Sequence, residues 1–145
     1  MKRFFLTTIA TAMLTACGTG SKITSSNSIT GEWDIVKIDG KALNGNSENT
    51  PFLGFDTKEN RIYGNAGCNL ITGSLTTDAK AGTIDLSKTG MTRMMCPDMD
   101  TESRVTEAMG RISKYSFGKD GALMLNSADG KTVMELKARA IKTQK

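Results

Sequence analysis

The 145-residue chain contains no histidine. That absence removes serine–histidine and cysteine–histidine nucleophile–base pairs, and every metal site built on imidazole. Carboxylates are present but scattered over turns and one helical stretch, and no spacing pairs two of them for acid–base work. Gly64-Asn65-Ala66-Gly67 is glycine-rich yet lacks the Lys-Ser/Thr that completes a phosphate-binding loop, so it reads as a tight turn. A large excess of one charge is also missing. The formal charge is +4, which gives no footprint for nucleic acid. Nor is there an apolar run of the roughly 20 residues that a membrane-spanning helix requires; the stretch from Phe4 to Ala16 is shorter and rich in Thr. No internal repeat of fixed period occurs. The expectation is a protein that is not an enzyme and holds no cofactor.

What is present begins with Met1-Lys2-Arg3, the uncharged stretch, and Leu14-Thr15-Ala16-Cys17. A short positive segment, an apolar stretch of about 7–15 residues and small residues at the cut describe a secretory signal over residues 1–16. Leu-Thr-Ala-Cys resembles the lipobox of bacterial lipoproteins, in which the cysteine receives a diacylglycerol and becomes the new N-terminus. The expected partner is thus a membrane, reached through acylated Cys17. Each buried CH₂ contributes ~0.8 kcal/mol, and two or three acyl chains make such anchoring durable. Gly18, where enteric lipoproteins retained at the inner membrane carry Asp, points to the outer membrane by the same resemblance. Residues 17–29 are mostly Gly, Ser, Thr and Asn, a composition that cannot bury a core and reads as a flexible tether.

Loss of residues 1–16 leaves 129 of the 145 residues and removes Lys2 and Arg3, so the formal charge falls from +4 to +2. That length suits one domain, placed at 30–138. Residues 139–145, with Arg139, Lys142 and Lys145, form a basic tail expected to be a solvated terminus.

With Cys17 consumed by lipid, Cys68 and Cys96 remain in an oxidising compartment, and an even remainder there reads as one disulfide. It would close a loop of about 29 residues, worth roughly 3–4 kcal/mol in the chain-entropy model. Free thiols, a redox role and a metal pair are the alternatives. The metal reading is specific: Met91, Met94, Met95 and Cys96 cluster with Met99, and Cys68 can join them. Soft thioether and thiolate ligands select Cu(I). The competing expectation is that these methionines fill irregular gaps between helix and sheet.

Gly31 to Ile38 is β-branched and aromatic and closes at Asp39-Gly40, with imperfect alternation that suggests a bulge or two-sided burial. Short strands are expected at 51–55, 61–64, 70–75 and 83–86. After Cys96-Pro97, Val105, Ala108, Met109 and Ile112 fall at helical spacing. This predicts one helix over about 99–113, capped by Asp98 or Asp100 and carrying Asp100–Arg104 and Glu107–Arg111 pairs on its exposed face. Tyr115 to Phe117, Ala122 to Leu125 and Thr132 to Leu136 alternate between Gly/Asp turns and predict an antiparallel meander. The fold expected is mainly β (α+β): a curved antiparallel sheet or partial barrel of about seven to eight short strands with one packed helix. Trp33, Phe52, Phe55, Tyr63, Tyr115 and Phe117 either form its core or line a concave apolar face.

Three elements carry a family resemblance: Gly31-Glu32-Trp33 opening a strand, Gly64-Asn65-Ala66-Gly67-Cys68-Asn69, and Thr92-Arg93-Met94-Met95-Cys96-Pro97. In this order and spacing they resemble the META domain, the family of the heat-shock protein HslJ, over about Thr30 to Leu136. The family's Gly-Ser-Tyr after Gly-Cys-Asn is here Gly73-Ser74-Leu75, which puts an aromatic contact there in doubt. The resemblance implies a small domain, often in lipoproteins, linked to heat shock, drug tolerance, motility and secretion, with no agreed catalytic residues. The functional expectation is a non-enzymatic, lipid-anchored envelope protein with an unidentified protein or ligand partner, acting in stress tolerance. The alternative is a Cu(I)-binding or thiol-redox protein using the Met/Cys cluster.

Overall fold

A computed structural model gives the fold over residues 28–43, 50–97 and 99–140. The expected signal peptide, Cys17, most of the tether, Asp98 and the last five tail residues lie outside the described residues. The strands are β1 (Gly31–Ile38), β2 (Lys41–Ala42), β3 (Phe52–Asp56), β4 (Arg61–Asn65), β5 (Leu70–Ser74), β6 (Thr76–Asp78), β7 (Thr83–Asp85), β8 (Thr89–Met91), β9 (Lys114–Phe117), β10 (Leu123–Asn126) and β11 (Thr132–Ala138). The helix α1 runs Asp100–Met109. Neighbours pair antiparallel in the order β6-β7-β9-β10-β11-β1-β3-β4-β5-β8, with β2 added at β1.

Among the described residues this is the curved antiparallel half-barrel with one helix that the sequence predicts, but with eleven strands where seven or eight were expected. The extra three are β2, β6 and β8, each two or three residues long. They are polar or glycine-containing, so period-two hydrophobicity does not mark them.

Alternation sorts the two faces. Trp33, Ile35, Leu53, Phe55, Ile62, Ile71, Leu123, Leu125 and Leu136 are buried inside the curve, and Val105, Ala108 and Met109 of α1 close over them. Cross-strand register aligns them: Ile35 faces Leu136, which in turn faces Leu123. Burying each such side chain contributes about 1.5–3 kcal/mol. The expected irregularity in β1 is a register shift against β11 between Ile35 and Lys37. Asp39 and Gly40 then turn the chain with φ of 49° and 74°, the two consecutive positive values of a type I′ hairpin.

The half-barrel does not close. β8 and β6 are the two ends of the sheet, and the chain crosses the gap twice, at Leu75 and at residues 86–88. Leu75 and Leu86 are both buried there, and α1 packs alongside.

The helix is shorter than predicted. It ends at Met109, with low-propensity Gly110 at its C-cap, although Ile112 continues the buried stripe beyond it. Met99 holds the N-cap position without a side-chain cap hydrogen bond, the expected cap Asp98 lies outside the described residues, and Asp100 and Glu102 lie in the first turn, where acids favour the helix dipole. Arg111 donates to Asp39 at 2.7 and 3.0 Å, while the predicted partner Glu107 acts on it by charge.

Candidate functional site

The turn between β4 and β5, the loop after β8 and the first turn of α1 meet at one corner, and both motif elements fall there. Asn65 Oδ1 accepts from the Gly67 N–H at 2.6 Å, and Ala66 N donates to Asn69 O at 2.9 Å, tightening the turn. Gly67 takes a φ of 123°. It is this backbone conformation that favours glycine, since a Cβ there would make only ordinary contact, 3.4 Å from Thr101 Cγ2.

Asn69 is the centre of the corner and is 1 % exposed. Its Nδ2 donates to Glu102 Oε1 at 2.9 Å and to the Met94 carbonyl at 3.0 Å. Its Oδ1 accepts from the Met94 N–H at 2.7 Å and the Thr92 hydroxyl at 2.8 Å. Its backbone N–H donates to Glu102 Oε2 at 2.7 Å. The amide thus uses both donors and both acceptor positions, and the neighbouring backbone fixes which end is oxygen. Glu102 is buried, a position acceptable for a carboxylate because its two oxygens are matched by two N–H groups.

A disulfide joins Cys68 and Cys96, with Cα atoms 6.2 Å apart. The Cys68 sulfur rests 3.8 Å from the Met94 carbonyl oxygen. The loop 92–97 is therefore fastened by Asn69 and again by the disulfide.

The candidate metal ligands are brought to this corner with unequal exposure. Met91 packs partly buried against the core, and its sulfur lies 3.9 Å from the Thr106 hydroxyl oxygen. Met94 and Met95 do not fill core gaps: they are 55 % and 93 % exposed. Leu70, whose N–H donates to the Thr92 hydroxyl at 3.0 Å, is 54 % exposed. These three are the exposed large hydrophobic residues among those described. Closed as a disulfide, Cys68 and Cys96 offer no thiolate, the form that binds metal. Among the described residues no group of three or more His, Cys, Asp or Glu is placed to hold a metal ion.

The six aromatics divide. Trp33 and Phe55 are core; Tyr115 and Phe117 pack against it, with ring centroids 6.1 Å apart. Trp33 Nε1 donates to the Ile29 carbonyl at 2.8 Å, so the ordered domain begins inside the stretch assigned to the tether. Phe52 and Tyr63 lie on the outer face. Arg139, the first residue of the expected tail, covers Phe52 at 3.9 Å from the ring centroid and donates from Nε to Asp34 at 2.6 Å. Burial, then the Glu32 carboxylate, pushes the Tyr63 phenol above its ordinary value.

Sequence reasoning missed Glu102. The signal was available: Glu102 continues the stripe of Val105, Met109 and Ile112 back by three residues, so an acid stood in phase with buried positions.

A protein-family model, the META domain, matches residues 26–140. No relative among curated proteins matches. Of solved structures, the NMR structure of a protein from Burkholderia xenovorans is 21% identical, covering 77% of this chain and 83% of that one, with a TM-score of 0.56. A second NMR structure is 20% identical over 79% and 94% of the two chains, TM-score 0.58. The crystal structure of a DUF4847 family protein from Bacteroides vulgatus is 18% identical over 76% and 93%, TM-score 0.52. At such identities these three show a shared fold. The match over nearly the whole described chain, with Gly67-Cys68-Asn69 and Thr92 to Pro97 locked into one corner, makes this chain a member of the META domain family.

Proposed function

We propose that the chain is a lipid-anchored cell-envelope protein whose META domain works by binding a partner protein, in envelope stress tolerance, and catalyses no reaction. The observation that carries the binding reading is the corner: Leu70, Met94 and Met95 are exposed on backbone that Asn69 and the disulfide hold in place. A preorganised apolar surface loses little entropy on association, and methionine adapts to irregular partners. Leu14-Thr15-Ala16-Cys17 supports the anchor.

Two measurements test it. A photo-crosslinker placed at Met95 in cells should capture a discrete envelope protein that one at Lys119, in the turn between β9 and β10, does not; equal capture from both positions would sink the reading. Labelled palmitate should enter the wild-type chain and not Cys17→Ser, and label retained in that variant would remove the anchor.

The disulfide of Cys68 and Cys96, which sits against the Met94 carbonyl with Met91, Met94 and Met95 close by in sequence, supports a second reading, Cu(I) binding or thiol redox chemistry once the disulfide is reduced. Failure of the reduced full-length chain to bind Cu(I) would eliminate its metal form.

A further inference from the structure

The gap in the half-barrel leaves a cleft of about 360 Å³ between α1 and the segment from β7 to β8. Its size is in the range of small-molecule sites, roughly 300–1,000 Å³. Leu86, Met91, Met109 and Ile112 give it apolar walls. Three hydroxyl side chains line it, and two are engaged. Thr106 Oγ1 donates to the Glu102 carbonyl at 2.8 Å, and the Ser87 hydroxyl bonds the Asp85 carboxylate. Thr89 Oγ1 is buried and has no partner, and an orphaned buried hydroxyl calls for an explanation. Asp85 lines the same cleft as its only ionisable side chain and repels anions.

We propose that this cleft binds a neutral, largely apolar small molecule with one hydrogen-bonding group, which the Thr89 hydroxyl meets after one turn between staggered rotamers. The apolar walls supply affinity and the hydroxyl supplies orientation, the usual division of labour in such sites. The two methionines let the walls adapt to the ligand's shape. This inference is independent of the Leu70/Met94/Met95 corner.

The full-length chain is titrated with 1-naphthol, 1-methylnaphthalene and 1-naphthoate while methyl NMR signals are followed. 1-Naphthol should shift Met91, Met109 and Ile112 saturably and leave the core residues Met134 and Leu123 in place, and 1-naphthoate should bind far more weakly. Thr89→Val should weaken 1-naphthol roughly three- to tenfold, the value of one ordinary hydrogen bond, and leave 1-methylnaphthalene unchanged. Gly110→Leu should abolish binding of both. Gly110 lines the cleft, and a Cβ there meets nothing closer than the Glu107 carbonyl at 3.5 Å, so the fold accommodates the change. Should that variant fail to fold, Thr89→Val still decides. The proposal is overturned by no saturable shift at these methyls, by 1-naphthoate binding as tightly as 1-naphthol, by Thr89→Val affecting alcohol and hydrocarbon alike, or by undiminished binding in a folded Gly110→Leu.

Discussion

Replacing Glu102 by glutamine perturbs the buried corner with almost no change of shape. In the wild type both carboxylate oxygens accept from Asn69, at 2.7 Å from its backbone N–H and 2.9 Å from Nδ2. Glutamine can present one oxygen and one NH₂, so one of those donors must face another donor whichever way the amide is turned. Asn69 cannot compensate by flipping, because its own oxygen accepts from the Met94 N–H and the Thr92 hydroxyl. One hydrogen bond to a charged group is therefore lost and its donor is left buried, at about 2–3 kcal/mol. For a domain of this size that corresponds to a drop in Tm of about 8–12 °C. Urea unfolding followed by the emission of Trp33, the sole tryptophan, measures it directly. The midpoint should fall with the slope unchanged. Paired with Asn69→Ala in a double-mutant cycle, the two effects should be strongly non-additive. A loss below about 0.5 kcal/mol, or a gain, would refute the assignment of Glu102 as the paired acceptor, since those values are what exposed substitutions give.

Alkylation without reductant should leave Cys68 and Cys96 unmodified, and reducing their disulfide should lower stability by roughly 3–4 kcal/mol; free thiols in the untreated protein would contradict the pairing. Gly64→Ala places a Cβ 2.2 Å from the Phe52 carbonyl oxygen in the neighbouring strand, so it should destabilise by about 3 kcal/mol or more in the same urea assay. Asp39→Asn tests the pair with Arg111, whose hydrogen bond and charge hold the Asp39 carboxyl below its ordinary 3.8. A depressed folded value contributes stability that is present above the unfolded value and lost as pH falls through the folded one. Both side chains are about half exposed, so the variant should lose only about 0.2–1 kcal/mol at pH 7. It should match the wild type at pH 2, and a constant gap between pH 7 and pH 2 would refute the attribution.

The sequence spoke most clearly where one physical signal dominates. β9, β10 and β11 alternate between glycine turns, and β1 is dense in β-branched and aromatic residues. Each was legible because one face is buried and the other is not. β7 alternates around buried Ile84 and was legible, whereas its partner β6, Thr-Thr-Asp, is held by a backbone ladder that periodicity does not report. The helix start was legible, but its end was placed too late, because Ile112 continues the buried stripe past Gly110 without being helical. At the corner, the motif residues drew attention to Cys68 and Cys96, yet the side chain that accepts from Asn69 is on α1, 33 positions away. Contacts of that kind depend on topology, which local pattern does not contain. The exposure of Met94 and Met95 was invisible for the same reason: methionine is equally common as core filler.

The central seam of the sheet joins β1 to β11, the first strand to the last. Asp34 and Arg139, which meet across it, are 105 positions apart, and Val133, Met134 and Leu136 reach the core only when β11 arrives. A chain emerging from its N-terminus can pair β1 with β3 early, but the other edge of β1 stays open until β11 is available. Closing the seam is slow for the size of the domain, because this pairing spans nearly the whole described fold. The interval before it exposes unpaired strand edges to other chains. The step most open to failure is thus the arrival of β11, and a chain cut before Thr132 would lack the keystone of the sheet.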